Sequence, residues 1–242
     1  MHFLLKRTFS TSNGLHFKKV SHVLFDMDGV IIDTEHIYEK IVATIAKKYG
    51  KSYPRDVRLR IMGTTEQRTS EIACRELGLP IKPHEFHVQM KELGNEMLKN
   101  APLMRGSKRL IEHLAANNVP IALATSSGKE SVEAKTLNYL PLFDLFHHKV
   151  MGSSDEEVKF GKPHPDIFLI CASRFKNAPD PENCLVFEDA PNGVDAALAA
   201  GMQVVMVPDP TLEKDLTKRA TQLLENLEQF KPEDFGLPPF KS

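Results

Sequence analysis

The chain has 242 residues, of which 41% are hydrophobic, and its 31 basic and 32 acidic side chains give a net charge of -1. A chain of this size can bury one sizeable core and carry a smaller second unit. Without an overall positive charge it lacks the field that holds nucleic acid or an anionic membrane, and we expect neither as a partner. The three cysteines form no CxxC pair, which argues against a disulfide framework and a thiolate metal site and favours a reducing compartment.

The N-terminal segment is basic, because no acidic residue precedes Asp26. This composition is typical of a mitochondrial transit peptide, but the apolar residues of the segment form no helical stripe. We therefore expect residues 1–19 to be a flexible extension that contributes nothing to the fold. A cytoplasmic location follows, with a mitochondrial location as the alternative.

A short apolar strand is predicted over residues 20–25, and Asp26, Asp28 and a turn at Gly29 follow it. Side chains two residues apart on a strand start on the same face, so the two carboxylates can meet in one pocket. They would repel each other unless one held a proton or a cation lay between them, and Mg²⁺ or Ca²⁺ is the usual cation for such oxygens. One of them could then attack an electrophile. The alternative is a surface turn rich in Asp and Gly.

Helical patterns follow one another between residues 35 and 103, with no strand among them. The apolar stripes that predict these helices cover residues 37–49, 65–77 and 83–98. We interpret residues 37–103 as a small helical cap domain, inserted into a core domain formed by residues 20–36 and 104–242. Two short linkers would let the cap hinge over the strand ends, and the alternative is a fixed layer of helices on the sheet.

The rest of the chain alternates strands and helices. Runs of Val, Ile, Leu and Phe predict buried strands over residues 121–125, 185–187 and 204–207. Helical spacing of apolar residues predicts helices over residues 107–117, after Pro165 and over residues 192–200. Strands separated by helices predict an α/β fold, a doubly wound parallel sheet with right-handed crossovers. In such sheets ligands collect at the carboxyl ends of the strands, where Asp26 and Asp28 would lie.

The second predicted strand ends in Thr125, Ser126 and Ser127. Its tip therefore offers hydroxyl groups and free backbone N–H groups to an anion. The alternative is a helix N-cap, for which hydroxyl side chains are also favoured.

Two later segments carry charged side chains beside Pro or at a strand end. Lys162 lies in a Gly-Lys-Pro turn, where it is either an anion ligand or a solvated surface charge. Glu188 and Asp189 follow the strand at residues 185–187, and such a pair could complete a metal site fed from a second strand. Acids at this place are also favoured by the dipole of a following helix.

In this order along the chain, an Asp pair, a hydroxyl residue, a lysine and an acidic pair resemble the motifs of the haloacid dehalogenase-like hydrolase superfamily. The resemblance covers about residues 20–240, and the helical insert resembles the class with a small helical cap. Residues 26–35, DMDGVIIDTE, resemble the branch that acts on sugar phosphates and nucleotide phosphates. Residues 184–208 and 230–238 look closer still to the animal pseudouridine-5′-phosphatases.

The resemblance implies a Rossmann-like core and a phosphomonoesterase that acts on a small-molecule phosphate ester. Asp26 would attack phosphorus to form an aspartyl-phosphate, and Asp28 would protonate the leaving oxygen and then deprotonate water. Mg²⁺ would be bound by Asp26, by the backbone carbonyl of Asp28 and by Asp189, with Glu188 close by. The ion offsets repulsion between a carboxylate and a phosphate.

The same resemblance assigns the phosphate contacts. Lys162 and Thr125 would hold the phosphoryl oxygens through the transition state. The other expected substrate contacts at the strand tips are Ser126, Ser127 and Asn192. In the cap, the segment with Gly63, Gln67 and Arg68 is expected to face the leaving group, although the resemblance does not decide specificity there. Gln67 or Arg68 could contact a base or a sugar hydroxyl, and the alternative is that these polar side chains at a helix start are solvated.

Other functions remain open from the sequence. A sugar phosphomutase would use the same core but protect its phosphoenzyme from water, and phosphatases of glycerol phosphate or deoxyglucose phosphate would share the core chemistry. A receiver-type phospho-acceptor module also places Asp, a hydroxyl and Lys at strand tips. Such a module would be far shorter and would lack the second Asp and the helical lid. We expect the protein to be a monomer.

Overall fold

The structure is a computed structural model that describes residues 17–241. Most of the predicted extension, residues 1–16, therefore lies outside the described residues. Within the described range the chain forms a six-stranded parallel sheet in the order β3-β2-β1-β4-β5-β6. The strands are β1 (His22–Phe25), β2 (Ile121–Thr125), β3 (His148–Met151), β4 (Cys184–Glu188), β5 (Gln203–Met206) and β6 (Gln222–Leu223). The predicted doubly wound α/β fold is confirmed.

The helices alternate with these strands after residue 103. They are α1 (Glu35–Lys48), α2 (Arg55–Ile61), α3 (Glu66–Glu76), α4 (Pro83–Met97), α5 (Ser107–Ala116), α6 (Lys129–Thr136), α7 (Leu140–Phe143), α8 (Asp166–Ser173) and α9 (Pro191–Ala199). Short 3₁₀ helices cover Leu137–Tyr139, Pro181–Asn183, Lys214–Thr217, Leu227–Gln229 and Pro232–Phe235. None of the helices in the described range is long and apolar enough to cross a membrane.

The alternation of side chains along β1 divides the hydrophobic core into two layers. Val23 and Phe25 pack with residues of α5 and of the helical insert, whereas Leu24 points to the layer formed with α8 and α9. Every residue of β1, β2 and β4 is buried, as expected for parallel strands covered on both faces. Phe25 lies opposite Phe187 of β4, and their rings stack with centroids 4.8 Å apart. This packing fixes the ends of β1 and β4 next to each other.

The structure adds two strands that the sequence did not predict. β3 contains His148 and Lys149 and is only partly buried, so its composition does not read as a core strand. β6 has two residues, and it pairs only with β5. Both strands lie at edges of the sheet, where each pairs with one neighbouring strand and can stay partly exposed to solvent.

The helices α1–α4 lie between β1 and β2 in the chain, and the turn between α2 and α3 contacts the strand tips. The Ser126 hydroxyl donates to the carbonyl of Gly63 at 3.0 Å, and the Asn192 amide donates to the carbonyl of Met62 at 2.9 Å. The carboxylate of Glu66 accepts a hydrogen bond from the N–H of Gly128, 3.1 Å away. The insert therefore closes over the carboxyl edge of the sheet.

Gly106 lies where the chain returns from the insert, immediately before α5, and its φ angle is +84°. A Cβ at this position would lie 2.5 Å from the backbone nitrogen of Glu228 and 2.6 Å from the carbonyl carbon of Leu227. Because both contacts are backbone atoms, neither can move cheaply. We expect Gly106→Ala to lower the free energy of unfolding by about 3 kcal/mol, measured by urea denaturation.

Gly50→Ala is the matched control, because Gly50 also has a positive φ, +69°, but has no atom within 4 Å of an added Cβ. The Gly50→Ala variant has the backbone strain of the left-handed region but no steric clash, and we expect its free energy of unfolding to fall by about 1 kcal/mol. Equal losses in the two variants would contradict the role of the backbone contact.

Candidate active site

Three buried charged side chains meet where β1 and β4 end. Asp26 follows β1 directly, Glu188 is the last residue of β4, and Lys162 lies in the turn before α8. The Lys162 ammonium donates to Asp26 Oδ1 and to Glu188 Oε1, each at 2.6 Å. Burial raises the pKa of Asp26 to about 7, although the charge of Lys162 acts in the opposite direction. The same two acids hold the pKa of Lys162 above its usual value against the effect of burial.

The predicted metal acids form one cluster. Oxygens of Asp26, Glu188 and Asp189 lie within 4.8 Å of one another, and all three residues are buried. Burial raises the pKa of Asp189 well above its usual value, and no side chain or backbone N–H from residues 17–241 donates to its carboxylate. The approach is close enough that a Cβ at Gly29 would lie 2.2 Å from Asp189 Oδ2. Three carboxylates of buried residues, one of which accepts no hydrogen bond from residues 17–241, fit a hard divalent cation such as Mg²⁺.

Glu188 is oriented by more than Lys162. Its Oε2 atom accepts hydrogen bonds from the N–H groups of Asp189 and Ala190, at 3.0 and 3.2 Å. The carboxylate therefore bridges the lysine and the backbone of the turn that carries Asp189. This arrangement places the acidic pair on the same side of the sheet edge as Asp26.

Asp28 lies in the same pocket but has a different set of partners. Its Oδ1 accepts from the hydroxyl of Thr34 at 2.6 Å, and its Oδ2 accepts from the hydroxyl of Ser127 at 2.9 Å. The ammonium of Lys135 donates to both oxygens, at 2.7 and 2.8 Å. Burial raises the pKa of Asp28, but the charge and hydrogen bonds of Lys135 outweigh it, so the pKa is lowered overall.

The hydroxyl residues predicted to bind phosphate lie at the tip of β2, as expected. Thr125 is fully buried, and its hydroxyl oxygen accepts from the N–H of Ser127 at 3.1 Å. The Ser126 and Asn192 side chains are engaged with the backbone of the insert, as described above. Ser126 directly follows β2, and Asn192 lies in the first turn of α9.

The structure places two of the predicted cap contacts away from the pocket. Gln67 and Arg68 are exposed on the first turn of α3, and both donate to the carboxylate of Glu71, at 3.1 and 3.2 Å. Side chains that project from this face of a surface helix pair with neighbours one turn away. Gly63, in contrast, lines the pocket together with Ser126 and Ser127.

Several residues of the pocket were missed by sequence reasoning. The cavity over Asp26, Asp28 and Asp189 is also lined by Glu35, Tyr38, Tyr53, Arg58, Thr64 and Met90. Burial raises the pKa of Glu35 to about 8, helped by the charge of Asp28. Arg58 forms ion pairs with Glu39 at 2.9 Å and with Asp209 at 2.7 Å, and so joins α2 to α1 and to the core. The sequence signal for Glu35 and Tyr38 was their position at the start of α1, the first helix after the Asp pair.

This geometry favours the transfer of an anionic group to a carboxylate. Lys162 contacts Asp26, which also belongs to a cluster of acids that fits a cation, so an anion could approach this carboxylate without prohibitive repulsion. A second acid, Asp28, lies two residues away and is separately held by Lys135. Carboxylate, cation and second acid are the parts that displacement at phosphorus requires.

Comparison with known proteins agrees with this geometry. Residues 20–201 match the family described as haloacid dehalogenase-like hydrolase. A probable pseudouridine-5′-phosphatase of Drosophila melanogaster is 50% identical over 223 residues, which are 92% of this chain and 96% of that protein. A (DL)-glycerol-3-phosphatase 2 of Arabidopsis thaliana is 41% identical over 225 residues, or 92% and 93% of the two chains.

The fold is also that of a solved structure. A β-phosphoglucomutase from Clostridium difficile superimposes with a TM-score of 0.73, covering 89% of this chain and 97% of that one, at 23% sequence identity. At this level of identity the likeness concerns the fold alone.

Proposed function

This chain belongs to the haloacid dehalogenase-like hydrolases and is a phosphomonoesterase, and we propose that it removes the phosphate of pseudouridine 5′-monophosphate in a Mg²⁺-dependent reaction. The observation that carries the chemistry is the contact of Lys162 with both Asp26 and Glu188, beside Asp189, whose carboxylate has no hydrogen-bond donor among residues 17–241. The small phosphate ester enters at the pocket over this cluster. The leaving group faces the insert.

Asp26 is the proposed nucleophile. Its Oδ1 is held by Lys162, which leaves Oδ2 to attack phosphorus, with formation of the P–O bond to Asp26 and cleavage of the bond to the ester oxygen. The product is an aspartyl-phosphate. Water then attacks this phosphorus and restores the carboxylate.

Asp28 is the proposed acid and base. As a base it would take a proton from the attacking water, and as an acid it would give this proton to the leaving ester oxygen of the next substrate molecule. Asp28 lines the same pocket as Asp26, and this position suits both steps because leaving group and water use the same side of the phosphorus.

Mg²⁺ would be held by Asp26, the backbone carbonyl of Asp28 and Asp189, with Glu188 close by, and when bound it would supply positive charge beside the phosphoryl oxygens. Lys162, which contacts Asp26 and Glu188, would supply a second positive charge. Thr125 and the N–H groups near Ser126, Ser127 and Asn192 would complete the phosphate contacts.

The nucleoside is proposed from two independent considerations. The Drosophila relative at 50% identity is named a probable pseudouridine-5′-phosphatase. The pocket above the acids also combines two phenol rings, Tyr38 and Tyr53, with the charged side chains of Glu35 and Arg58. An aromatic surface with polar groups at its edge suits a base that offers both a π face and hydrogen-bonding groups.

Glycerol phosphate is the second candidate substrate. It is supported by the Arabidopsis relative at 41% identity, which is named a (DL)-glycerol-3-phosphatase. The same acids, lysine and hydroxyl groups would act on it, because the core chemistry does not depend on the leaving group.

A substrate panel tests the proposal. We expect kcat/KM for pseudouridine 5′-monophosphate to exceed those for uridine 5′-monophosphate and glycerol 3-phosphate at least roughly tenfold, measured as phosphate release. The two nucleotides differ only in the glycosidic linkage, so their ratio reports recognition of the base. p-Nitrophenyl phosphate serves as a reference ester without a nucleoside.

Equal values for the two nucleotides would contradict recognition of the base, and a higher value for glycerol 3-phosphate would favour the second candidate. Tyr53→Phe is a useful companion variant, because it removes one hydroxyl from the pocket and keeps the ring. We expect it to lower kcat/KM for the nucleotide and to leave that for p-nitrophenyl phosphate within about twofold.

The division into a cap at residues 37–103 and a core at residues 20–36 and 104–242 remains a prediction, as do the monomeric state and the cytoplasmic location. Small-angle scattering and size-exclusion chromatography with light scattering would measure the first two properties. Import into isolated mitochondria would test the alternative location.

A further inference from the structure

We propose that Lys135 is a positioning residue that affects catalysis mainly through Asp28. The inference rests on the proposed role of Asp28 as acid and base, and it adds a residue that neither the motifs nor the comparisons assign. Lys135 lies on α6, which follows the hydroxyl tip of β2.

The contacts of Lys135 converge on one carboxylate. Its ammonium donates to both oxygens of Asp28, at 2.7 and 2.8 Å, and to the hydroxyls of Ser127 and Tyr38, at 2.7 and 3.1 Å. Ser127 in turn donates to Asp28 Oδ2, and Thr34 donates to Oδ1. Each oxygen of the Asp28 carboxylate therefore accepts one hydrogen bond from a hydroxyl and one from the Lys135 ammonium. Together these four hydrogen bonds fix the plane of the carboxylate.

Burial makes this lysine dependent on its partner. The exposed fraction of the Lys135 side chain is 0%, and among the residues described its acidic partner is Asp28. A buried ammonium without a counter-charge is strongly unfavourable, so the two groups hold each other in place. The charge of Asp28 in turn raises the pKa of Lys135 despite burial, and the lysine stays protonated.

The two buried lysines of the site divide the acids between them. Lys162 contacts Asp26 and Glu188, whereas Lys135 contacts Asp28. Lys135 does not line the substrate cavity, although Asp28, Ser127 and Tyr38 do. Because its side chain has no exposed surface, we expect its effect on the reaction to pass through the residues that it contacts.

The expected effect is on turnover rather than on substrate binding. In Lys135→Met the carboxylate keeps its hydroxyl donors but loses the charge that fixes it. We expect kcat to fall about 100-fold, because general acid and base catalysis depends on placement of the proton-transfer group. KM should remain within about threefold, because Lys135 contacts neither Lys162 nor Thr125, the two side chains proposed to hold the phosphoryl oxygens.

A double-mutant cycle is the decisive experiment. Lys135→Met, Asp28→Asn and the double variant are compared by single-turnover phosphate release from pseudouridine 5′-monophosphate and glycerol 3-phosphate, followed over hours. We expect the roughly 100-fold loss from Lys135→Met to shrink to less than about twofold in the Asp28→Asn background. Equal losses in the two backgrounds, or no loss in the wild-type background, would overturn the proposal.

Controls separate positioning from folding. Lys129→Met removes an exposed lysine of the same helix and should leave kcat unchanged. If Lys135→Met alone does not fold, Lys135→Arg takes its place in the cycle, because it keeps the positive charge. A lower rate of phosphate release only where Asp28 is present supports the proposal. An equal decrease in rate with Asp28 and with Asn at that position overturns it. Thermal unfolding of each variant is measured alongside.

The wild-type protein is assayed in parallel on p-nitrophenyl phosphate. If it releases no phosphate from any ester of the panel, the proposed function has failed. If it does so and Lys135→Met is equally fast, only the role of Lys135 has failed.

Discussion

Asp26→Asn is expected to lower phosphate release by at least about 10⁴-fold, because the amide cannot form the ester with phosphorus on which the reaction depends. The substitution also removes the negative charge that Lys162 contacts at 2.6 Å and replaces one carboxylate oxygen of the acidic cluster by an amide nitrogen. The expected result therefore combines loss of the nucleophile with weaker phosphate and metal binding. Steady-state phosphate release measures the loss.

A second measurement identifies the missing step. Acid quenching during turnover, followed by mass spectrometry, should trap a phosphorylated wild-type protein and no phosphorylated Asp26→Asn protein. Asp33→Asn is the matched control, because Asp33 lies in the same segment but is partly exposed and pairs with His36. Turnover of Asp26→Asn close to that of the wild type would contradict the assignment of the nucleophile.

Removal of divalent metal should have the second-largest effect. We expect a chelator to lower phosphate release to below about 1% of its initial rate, and added Mg²⁺ to restore it. The reason is the group of three buried carboxylates, in which Asp189 has no hydrogen-bond donor among residues 17–241. Without the cation these carboxylates repel both one another and a phosphate. A rate indifferent to chelators would contradict the metal site.

Stability gives a measurement that does not depend on activity. A cation that binds only the folded state at about 100 times its Kd adds about 2.7 kcal/mol to the free energy of unfolding. We expect Mg²⁺ to raise the melting temperature of the wild type, and to do so much less in Asp189→Asn. Asp144→Asn, which changes an exposed acid after α7, should keep the full response.

The strands and helices that could be predicted from the sequence are those whose apolar residues form a continuous buried run or recur at helical spacing. β2 was predicted at its observed limits because all five residues are buried, and α5 was predicted within one residue because Leu110, Ile111 and Leu114 form a stripe. α2 was missed, since four of its seven residues are charged and Val57 is its buried residue. Its helical state depends on contacts with α3 rather than on its own pattern.

The site divides in the same way. Asp26, Lys162, Glu188 and Asp189 could be found because each follows or ends a recognisable strand or lies in a turn with Pro. Lys135 could not, since α6 carries a weak stripe of Val132, Lys135 and Thr136, and a lysine in such a stripe is usually solvated. Its spacing of three residues from Val132 was the available signal. The side-chain directions of Gln67 and Arg68 likewise depend on how α3 packs, which local pattern does not specify.

The central place of β1 has a consequence for biosynthesis. β1 is the first strand of the described chain, yet its two neighbours are β2 at residues 121–125 and β4 at residues 184–188. While the protein is being made on the ribosome, one hydrogen-bonding edge of this apolar strand stays open until β4 has emerged. A nascent chain interrupted before that point exposes an unpaired strand edge that can pair with other chains, and it is therefore a target for chaperones. It also lacks Glu188 and Asp189, so it has an incomplete active site.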